Sequence, residues 1–492
     1  MTGKRIGLLL GPLLFLLIQL FLKADGLGTA GVAVLATTVW MATWWITEAI
    51  PIAVTALLPI ILFPLTGGVA LEVTTAAYGH QYVFLFLGGF LIAMTIEKWN
   101  LHRRIALNTI ALIGSNVRMI ILGAMTATWL LSMWISNTAT AVMMLPIATA
   151  IVAQLRDDPS TPEVDENDRF GKAFMLAIAY AASIGGMASL IGTPVNLVLV
   201  GVVQEVFGVE ISFMQWFSIG FPVSVLLLLL SWWYLTRLAF TFDGSGFAGG
   251  RQEVRRQLHA LGPMTAEEKK VLVVFGLTAL AWIIRSSVLE RFIPGIDDPV
   301  IAMLGGVALF LIPGPSADRP LLEWSEAVRL PWGIILLLGG GFALAAGFGS
   351  SGLAAFIGES LRVPEHVGIF VVILLITLAV NFLTEITSNV ATTSMLMPVF
   401  AAAAVPLGIH PFAMMVPATL AATCAFMLPV ATPPNAVVFG SGYLTIPDMV
   451  RAGFWLNLIS IALITLFCCL LLPLLWGFDP AAVPNWAGPQ VQ

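Results

Sequence analysis

Long apolar runs, separated by short polar or charged stretches, make up most of the chain. The runs fall near residues 6–22, 28–46, 50–66, 78–97, 115–150, 173–203, 213–236, 271–290, 299–313, 331–350, 367–402, 411–446 and 452–476. A membrane-spanning helix needs roughly 17–25 predominantly apolar residues, and most of these runs approach or exceed that length. The pattern therefore predicts an all-α polytopic membrane protein.

Two runs, 115–150 and 367–402, are too long for one spanning helix and too short for two. Each contains a polar island, Ser-Asn-Thr at 136–138 in the first and Ser-Asn-Val at 388–390 in the second. A segment that enters the membrane, turns at the island and leaves on the same side fits this pattern. Such backbone is tolerated only where protein or a water-filled cavity covers it. We therefore expect about eleven transmembrane helices and two re-entrant hairpins.

The islands belong to a longer internal repeat. Leu-Phe-Leu-Gly-Gly at 85–89 precedes the first island, and Leu-Leu-Leu-Gly-Gly at 336–340 precedes the second. Gly-Thr-Pro-Val-Asn at 192–196 follows the first island, and Ala-Thr-Pro-Pro-Asn at 431–435 follows the second. Basic residues surround the first hairpin, whereas only Arg362 lies near the second, so the copies are expected to be inverted. Inverted repeats with broken helices recur in secondary transporters, whose binding site lies where the repeats meet.

The repeat suggests how the chain is divided. The predicted units are N-terminal scaffold helices (1–77), a first inverted repeat (78–237) with its hairpin at about 115–150, a cytoplasmic linker (238–270), further scaffold helices (271–330), a second inverted repeat (331–476) with its hairpin at about 367–402, and a tail (477–492).

The distribution of Lys and Arg indicates the orientation. With a cytoplasmic N-terminus and two re-entrant hairpins, all but four of the 22 Lys and Arg residues lie on the cytoplasmic side, as the positive-inside rule requires. The four exceptions are Lys23, Arg285, Arg291 and Arg362. The N-terminal run resembles a signal peptide without a clear cleavage site, so we expect a retained first helix. The expected location is a plasma membrane, specifically a bacterial inner membrane.

Composition excludes several classes of function. Hydrophobic residues make up 59% of the 492 residues and charged residues 10%, with a mean hydropathy of +0.97, whereas a soluble domain carries about 25% charged residues. No basic tract suggests nucleic-acid binding. The sequence contains neither a P-loop nor an HExxH motif, so ATP-driven transport and zincin chemistry lack support. The three cysteines show neither metal-ligand spacing nor a disulfide framework.

The islands have the chemistry of a site for a small anion and cations. A hairpin tip exposes backbone groups that no helix satisfies, and Ser, Asn and Thr can pair with them and still offer oxygens and amides to a ligand. Helix N-termini at a tip favour carboxylates and other oxyanions, while freed carbonyls and side-chain oxygens suit Na⁺. The alternative is that these residues only cap or join packed helices. Two equivalently placed islands in an inverted repeat favour the binding site.

The two Thr-Pro pairs follow the same logic, because proline removes a donor and breaks a helix, which frees carbonyls at membrane depth. The islands and these breaks supply the candidate substrate-binding residues: Ser136, Asn137, Thr138, Ser388, Asn389, Val390, Thr193, Pro194, Thr432 and Pro433. No Lys or Arg occurs in 119–155 or 363–450, so an anion there would be neutralised by neutral donors, helix ends and bound cations. Of two acids in apolar context, Glu48 suits a structural or interfacial role. Glu385 suits either tip stabilisation or cation binding.

Three features together resemble the divalent anion/sodium symporter (DASS) family over roughly residues 30–470. They are Trp-Trp-Ile-Thr-Glu-Ala-Ile-Pro at 44–51 with Leu-Leu-Pro at 57–59, the paired Ser-Asn islands, and the paired Thr-Pro breaks followed by Asn196 and Asn435. Members of the family are sodium-coupled carriers of di- and tricarboxylates, and some relatives carry sulfate.

The resemblance implies a homodimeric elevator transporter and two sodium sites. Carried over by position, the first site falls on Ser132, Ser136, Asn137 and Gly192, and the second on Thr384, Thr387, Asn389 and Ala431. Substrate contacts fall on Asn137, Thr138, Asn389, Val390, Thr432 and Pro433. Many members carry Ser-Asn-Thr twice, so Val390 removes one substrate hydroxyl contact. Sodium is the implied coupling ion, and no organic cofactor is implied.

The resulting hypothesis is sodium-coupled import of C4-dicarboxylates such as succinate, malate or fumarate. The alternatives within this class are a carrier of citrate, sulfate or another oxyanion, and a sodium-independent dicarboxylate exchanger. A channel or a membrane-embedded enzyme is the alternative from other classes. The sequence shows no acid/base or metal constellation for catalysis, which argues against an enzyme.

Overall fold

The structure is a computed structural model that describes residues 3–24, 26–114, 116–156, 164–241, 248–316, 319–360 and 368–487. Within these ranges the protein is helical, and the only extended pairing is an isolated antiparallel bridge between Pro313 and Pro320. Eight of the described helices are long and apolar enough to cross a membrane, and several shorter apolar helices accompany them. The predicted all-α membrane fold is confirmed.

The N-terminal helices pack as a pair followed by short pieces. They are α1 (Gly3–Phe21), α2 (Thr29–Thr47), α3 (Ile52–Thr55), α4 (Leu58–Thr66) and α5 (Leu71–Ala76), with a 3₁₀ turn at Ala77–Gly79. Helix α1 lies close against α2 because Gly7 has no side chain, and a Cβ there would lie 2.0 Å from Thr47 Oγ1. Trp44 Nε1 donates to the Gly7 carbonyl at 3.0 Å, which fixes the crossing.

Seven helices fall in the predicted first repeat unit. They are α6 (Gln81–Lys98), α7 (Leu101–Ile113), α8 (Val117–Ser132), α9 (Asn137–Arg156), α10 (Val164–Gly186), α11 (Pro194–Phe207) and α12 (Phe213–Tyr234). The first island lies at the start of α9, shortly after α8 ends. Pro194 occupies the first position of α11, where its missing N–H costs nothing, and Thr193 before it is extended.

The segment predicted to be a cytoplasmic linker (238–270) leads to the middle helices. A π-helical turn at Leu235–Ala239 is followed by α13 (Ala248–Ala260), α14 (Ala266–Ile284), a second π-helical turn at Arg285–Leu289, α15 (Glu290–Phe292), α16 (Asp298–Leu311) and α17 (Trp324–Ala327). Helix α14 begins at a reciprocal capping box, in which Thr265 and Glu268 each bond to the other's backbone N–H.

Seven more helices repeat the order of the first unit. They are α18 (Trp332–Ser350), α19 (Leu353–Ser360), α20 (Ile369–Thr384), α21 (Asn389–Ala404), α22 (Pro411–Ala422), α23 (Pro433–Phe439) and α24 (Ile446–Trp476), before a 3₁₀ turn at Asn485–Ala487. Each unit thus has a long helix, a short one, two helices around a polar island, two around a Thr-Pro break, and a final long helix.

The two units interlock through their short central helices. Helix α9, after the first island, packs against α23, after the second break, while α21, after the second island, packs against α11, after the first break. Helix α10 is buried from Ala173 to Gly186, and α22 is buried throughout. This exchange of partners places both islands and both breaks in one central region.

Candidate functional site

A cavity of about 600 Å³ lies where the two islands meet. All ten residues predicted to bind substrate line it: Ser136, Asn137, Thr138, Thr193, Pro194, Ser388, Asn389, Val390, Thr432 and Pro433. Of the remaining residues in the two implied sodium sites, Gly192, Thr387 and Ala431 also line the cavity. Ser132 and Thr384 are fully buried and stand outside its lining. The structure brings the whole candidate set together, and the binding role of each residue stays a prediction.

In the first half of the site, a buried hydroxyl holds the island asparagine. Ser132 Oγ, at the end of α8, lies 2.7 Å from Asn137 Oδ1 and 2.7 Å from the Ala182 carbonyl oxygen of α10. These contacts link the first island to α10. Gly186 leaves room for the asparagine, because a Cβ there would lie 2.5 Å from Asn137 Oδ1.

The second half repeats this geometry with a threonine. Thr384 Oγ1, at the end of α20, lies 2.8 Å from Asn389 Oδ1 and 3.0 Å from the Ala422 carbonyl oxygen of α22. Thr387 Oγ1 adds a hydrogen bond of 2.6 Å to Thr392 Oγ1 across the tip. In each half, one buried hydroxyl therefore lies between the asparagine Oδ1 and a backbone carbonyl oxygen of the neighbouring helix.

Two further asparagines hold the breaks. Asn196 Nδ2 donates to the carbonyls of Gly186 at 3.1 Å and Ser189 at 2.8 Å. Asn435 Nδ2 donates in the same way to the carbonyls of Ala425 and Leu428, at 3.1 and 3.0 Å. The motif drew attention to both asparagines, but the sequence did not show that they act on the break loops. Their contacts fix where the freed carbonyls point.

Glu385 ties the second island to the second break. Its carboxylate accepts hydrogen bonds from the backbone N–H groups of Phe426, Met427 and Leu428 at 2.7–3.2 Å and from Asn457 Nδ2 at 2.7 Å. These donors already satisfy both carboxylate oxygens, so the contacts favour tip stabilisation over direct cation binding.

In the first repeat, an uncharged contact links the island to the break. Its counterpart of Glu385, three residues before the island, is Met133, whose backbone carbonyl accepts a hydrogen bond from Ser189 Oγ in the first break. The two halves are therefore similar in shape and different in electrostatics.

The site's electrostatics suit an anion held beside cations. Within the described part of the chain, the cavity lining contains no Lys or Arg. Helices α9, α11 and α21 all begin at the lining, and their N-terminal N–H groups favour a carboxylate. The ends of α8, α10 and α20 supply hydroxyl and carbonyl oxygens, the neutral donor set that coordinates Na⁺ in broken-helix transporters.

The walls between the polar groups are apolar. They comprise Phe86, Phe90, Trp134, Ile334, Leu337, Ile386 and Val430, of which Val430 is 82% exposed. Sequence reasoning missed these side chains, although Phe86 lies inside the repeated Leu-Phe-Leu-Gly-Gly motif. Polar tips and apolar walls suit a small molecule with charged ends and a hydrocarbon middle.

The cavity reaches the surface at one end of the helix bundle. Glu48 lines the cavity, and its side chain is 61% exposed, 3.6 Å from Lys4 Nζ. Ile334, in the first turn of α18, lines the cavity as well. We call this end the Glu48 face. The ion pair between Lys4 and Glu48 is exposed and contributes little to stability, and the structural or interfacial role of Glu48 stays a prediction.

Comparison with known proteins gives consistent matches. Residues 4–477 match the family model for the sodium:sulfate symporter transmembrane region. The sodium-dependent dicarboxylate transporter SdcS of Staphylococcus saprophyticus is 47% identical over 485 residues, which covers 97% of this chain and 93% of that protein. SdcS of Staphylococcus aureus strain MRSA252 is 45% identical over 483 residues, with the same coverage.

Two solved structures share the fold at low sequence identity. Neisseria gonorrhoeae MtrF, described as representing a class of antimetabolite efflux pumps, has a TM-score of 0.57 at 13% identity and covers 82% of this chain and 84% of its own. The Alcanivorax borkumensis YdaH transporter has a TM-score of 0.52 at 15% identity and covers 83% and 88%. These likenesses concern the fold alone.

Proposed function

The chain belongs to the sodium:sulfate symporter family, and from that membership we propose that it imports C4-dicarboxylates such as succinate, malate and fumarate together with sodium. Relatives at 45–47% identity over nearly the whole chain are sodium-dependent dicarboxylate transporters. The proposed activity is transport and not catalysis. The transported species are the anion and sodium ions, and the surroundings are the lipid bilayer.

The observation that carries the proposal is the paired geometry of the islands. Asn137 and Asn389 line one cavity, and the Oδ1 of each meets a buried hydroxyl that also contacts a backbone carbonyl oxygen. Sodium fits these two oxygen sets, with Gly192 and Ala431 at the adjoining breaks. A dicarboxylate between them would meet helix N-termini and island side chains.

Neutral donors alone leave the charge of a dianion uncompensated, so bound sodium couples the anion to the cation gradient. If one net positive charge enters per cycle, a potential of 100 mV contributes about 2.3 kcal/mol. At about 1.4 kcal/mol per decade, this corresponds to roughly fifty-fold accumulation.

The proposal extends to mechanism and assembly. The two island segments are re-entrant hairpins, eleven other segments span the membrane, and the N-terminus is cytoplasmic in a bacterial inner membrane. The exposed Glu48 at the rim of the cavity supports alternating access, in which the repeat units move as an elevator against a scaffold. A homodimer would provide that scaffold.

Uptake of labelled succinate into proteoliposomes tests the proposal. An inward sodium gradient should drive accumulation, and replacing sodium with potassium should remove it. Counterflow that is equally fast without sodium would instead identify an exchanger. Competition by unlabelled citrate and sulfate distinguishes the remaining members of the class, and we expect succinate, malate and fumarate to compete most strongly.

A further inference from the structure

An ion cluster lies at the end of the bundle opposite the Glu48 face. The direction of α6 shows this placement. The last residue of α6, Lys98, lines a second cavity together with Pro331. Pro331 precedes α18, and the first turn of α18 lies at the Glu48 face. The other end of α6 is about 27 Å away, because the helix has 18 residues. Tyr82 lies in the first turn of α6, within electrostatic reach of Glu210, Arg285 and Asp298. We call this end the Arg285 face.

Arg285 joins three acidic side chains in this cluster. Its Nη2 lies 2.6 Å from Glu210 Oε1, its Nε 2.8 Å from Glu290 Oε1, and its Nη1 3.2 Å from Asp298 Oδ1. The Arg285 side chain is only 6% exposed. A guanidinium this buried needs its partners, since removal of one side of a buried pair leaves an uncompensated charge.

The cluster connects two different parts of the fold. Glu210 lies in the loop between α11 and α12, one helix after the first Thr-Pro break. Arg285 lies in the π-helical turn that follows α14, Glu290 begins α15 and Asp298 begins α16. Asp298 makes a second link, because its Oδ2 accepts a hydrogen bond of 2.6 Å from the Phe213 backbone N–H at the start of α12.

An aromatic stack leads from this cluster to the first island. Trp282 Nε1 donates to the Asp298 carbonyl at 3.1 Å, and the Trp282 ring stacks on Phe213 with centroids 4.9 Å apart and planes 11° apart. Trp134 lies parallel to both rings, with its centroid 6.4 Å from Trp282 and 6.0 Å from Phe213. Trp134 lies two residues before Ser136 and lines the substrate cavity.

We propose that the Glu210–Arg285 ion pair is a latch that keeps the Arg285 face closed while the cavity is open at the Glu48 face. It links the segment carrying the first break to α14 and α16, so any motion of the first repeat past those helices must break it. The aromatic stack carries the same constraint to the tip at Trp134. This inference rests on the proposed alternating access.

The chain offers a matched pair of variants for the test. Glu210→Gln removes the Arg285 ion pair that crosses between the two parts, and it leaves Arg285 paired with Glu290 and Asp298 and the Asp298–Phe213 hydrogen bond in place. Glu290→Gln is the matched control, because it removes another ion pair of Arg285. The two ion pairs have similar lengths, and the side chains of Glu290 and Glu210 are 42% and 41% exposed. Glu290 lies on the same side of the interface as Arg285, so the Glu290–Arg285 ion pair does not cross that interface.

The measurement is sided labelling of a cysteine in the cavity. Val430→Cys is introduced after Cys424, Cys468 and Cys469 have been replaced by alanine, and the protein is reconstituted in one orientation. A membrane-impermeant maleimide is added separately to each face, and the ratio of the two labelling rates is recorded without ligand. Glu210→Gln should shift this ratio toward the Arg285 face by about threefold, the effect of a partly exposed ion pair, and Glu290→Gln should leave it unchanged.

Equal ratios for the two variants, or an unchanged ratio in Glu210→Gln, would overturn the latch. Glu210→Ala serves if the glutamine variant is poorly folded, with the same expected shift. Sodium-dependent protection of the cysteine by succinate is measured in the parent protein. If that protection is missing, the proposed transport function fails on its own, whereas the ligand-free ratios still decide the latch.

Discussion

Replacement of Glu385 by glutamine should weaken the site without touching the substrate. The carboxylate accepts from three consecutive backbone N–H groups, those of Phe426, Met427 and Leu428, and from Asn457 Nδ2. A glutamine oxygen can take the place of Oε1 and keep the bonds to Phe426 and Asn457. Its amide nitrogen then faces the donors that Oε2 served, and two donors cannot pair.

The magnitude follows from those lost bonds. The Leu428 N–H, 3.1 Å from Oε2, loses its acceptor, and an unsatisfied buried donor costs about 1–3 kcal/mol. Loss of charge assistance in the remaining bonds adds about 1 kcal/mol. Ala431 and Thr432, three and four residues after Leu428, line the cavity. If about 1.4 kcal/mol of this cost reaches the site, substrate affinity falls about tenfold.

The assay is equilibrium binding of labelled succinate in saturating sodium, with Glu48→Gln as the control. Glu48 also lines the cavity, but its exposed carboxylate forms only a 3.6 Å pair with Lys4, so its change should alter the affinity less than twofold. Both proteins must first elute as folded species of the same size. Equal affinities in the two variants would refute the assigned role of Glu385, as would an intact affinity in Glu385→Gln alone.

Three further predictions concern the islands and the frame around them. Asn137→Ala and Asn389→Ala should each abolish sodium-driven succinate uptake while the purified protein stays folded, and near-normal uptake in both would contradict the site. Gly186→Ala should lower sodium affinity at least tenfold in sodium titrations of uptake, because its Cβ would lie 2.5 Å from Asn137 Oδ1; an unchanged titration would contradict that steric account. Arg104→Ala should lower the thermal midpoint of unfolding, because a guanidinium bonded at 3.0 and 3.1 Å to both oxygens of buried Glu268 is lost at a cost of about 3 kcal/mol, and uptake per folded molecule should change much less than stability.

Much of the site could be predicted because its motifs occur twice in the sequence. The two islands and the two Thr-Pro breaks recur in the same order, and an inverted repeat brings such copies together. Local chemistry was enough to expect a polar tip at each break, since proline and Ser-Asn pairs interrupt apolar helices wherever they stand. The structure adds that α9 packs on α23 and α21 on α11, which explains why the copies meet.

The remaining features depend on contacts between distant segments that no local pattern encodes. Glu385 reaches a loop about forty residues later, and its counterpart Met133 has no charge at all, so the repeat gave no guide to its role. Nothing in the sequence singles out Trp134 from the other apolar residues, and only the fold places its ring beside those of Phe213 and Trp282. In the sequence, Arg285 is only one of four basic residues predicted outside the cytoplasmic side. The structure shows that three acidic side chains pair with it.

The most direct measurement of the central claim is the thermal stability of the purified protein with succinate, in sodium and in potassium. A ligand at one hundred times its dissociation constant stabilises the folded state by about 2.7 kcal/mol. The two-part site predicts that succinate raises the unfolding temperature in sodium but not in potassium, and that Asn137→Ala and Asn389→Ala each remove the increase. An equal increase in both salts, or one that survives loss of either asparagine, would contradict it.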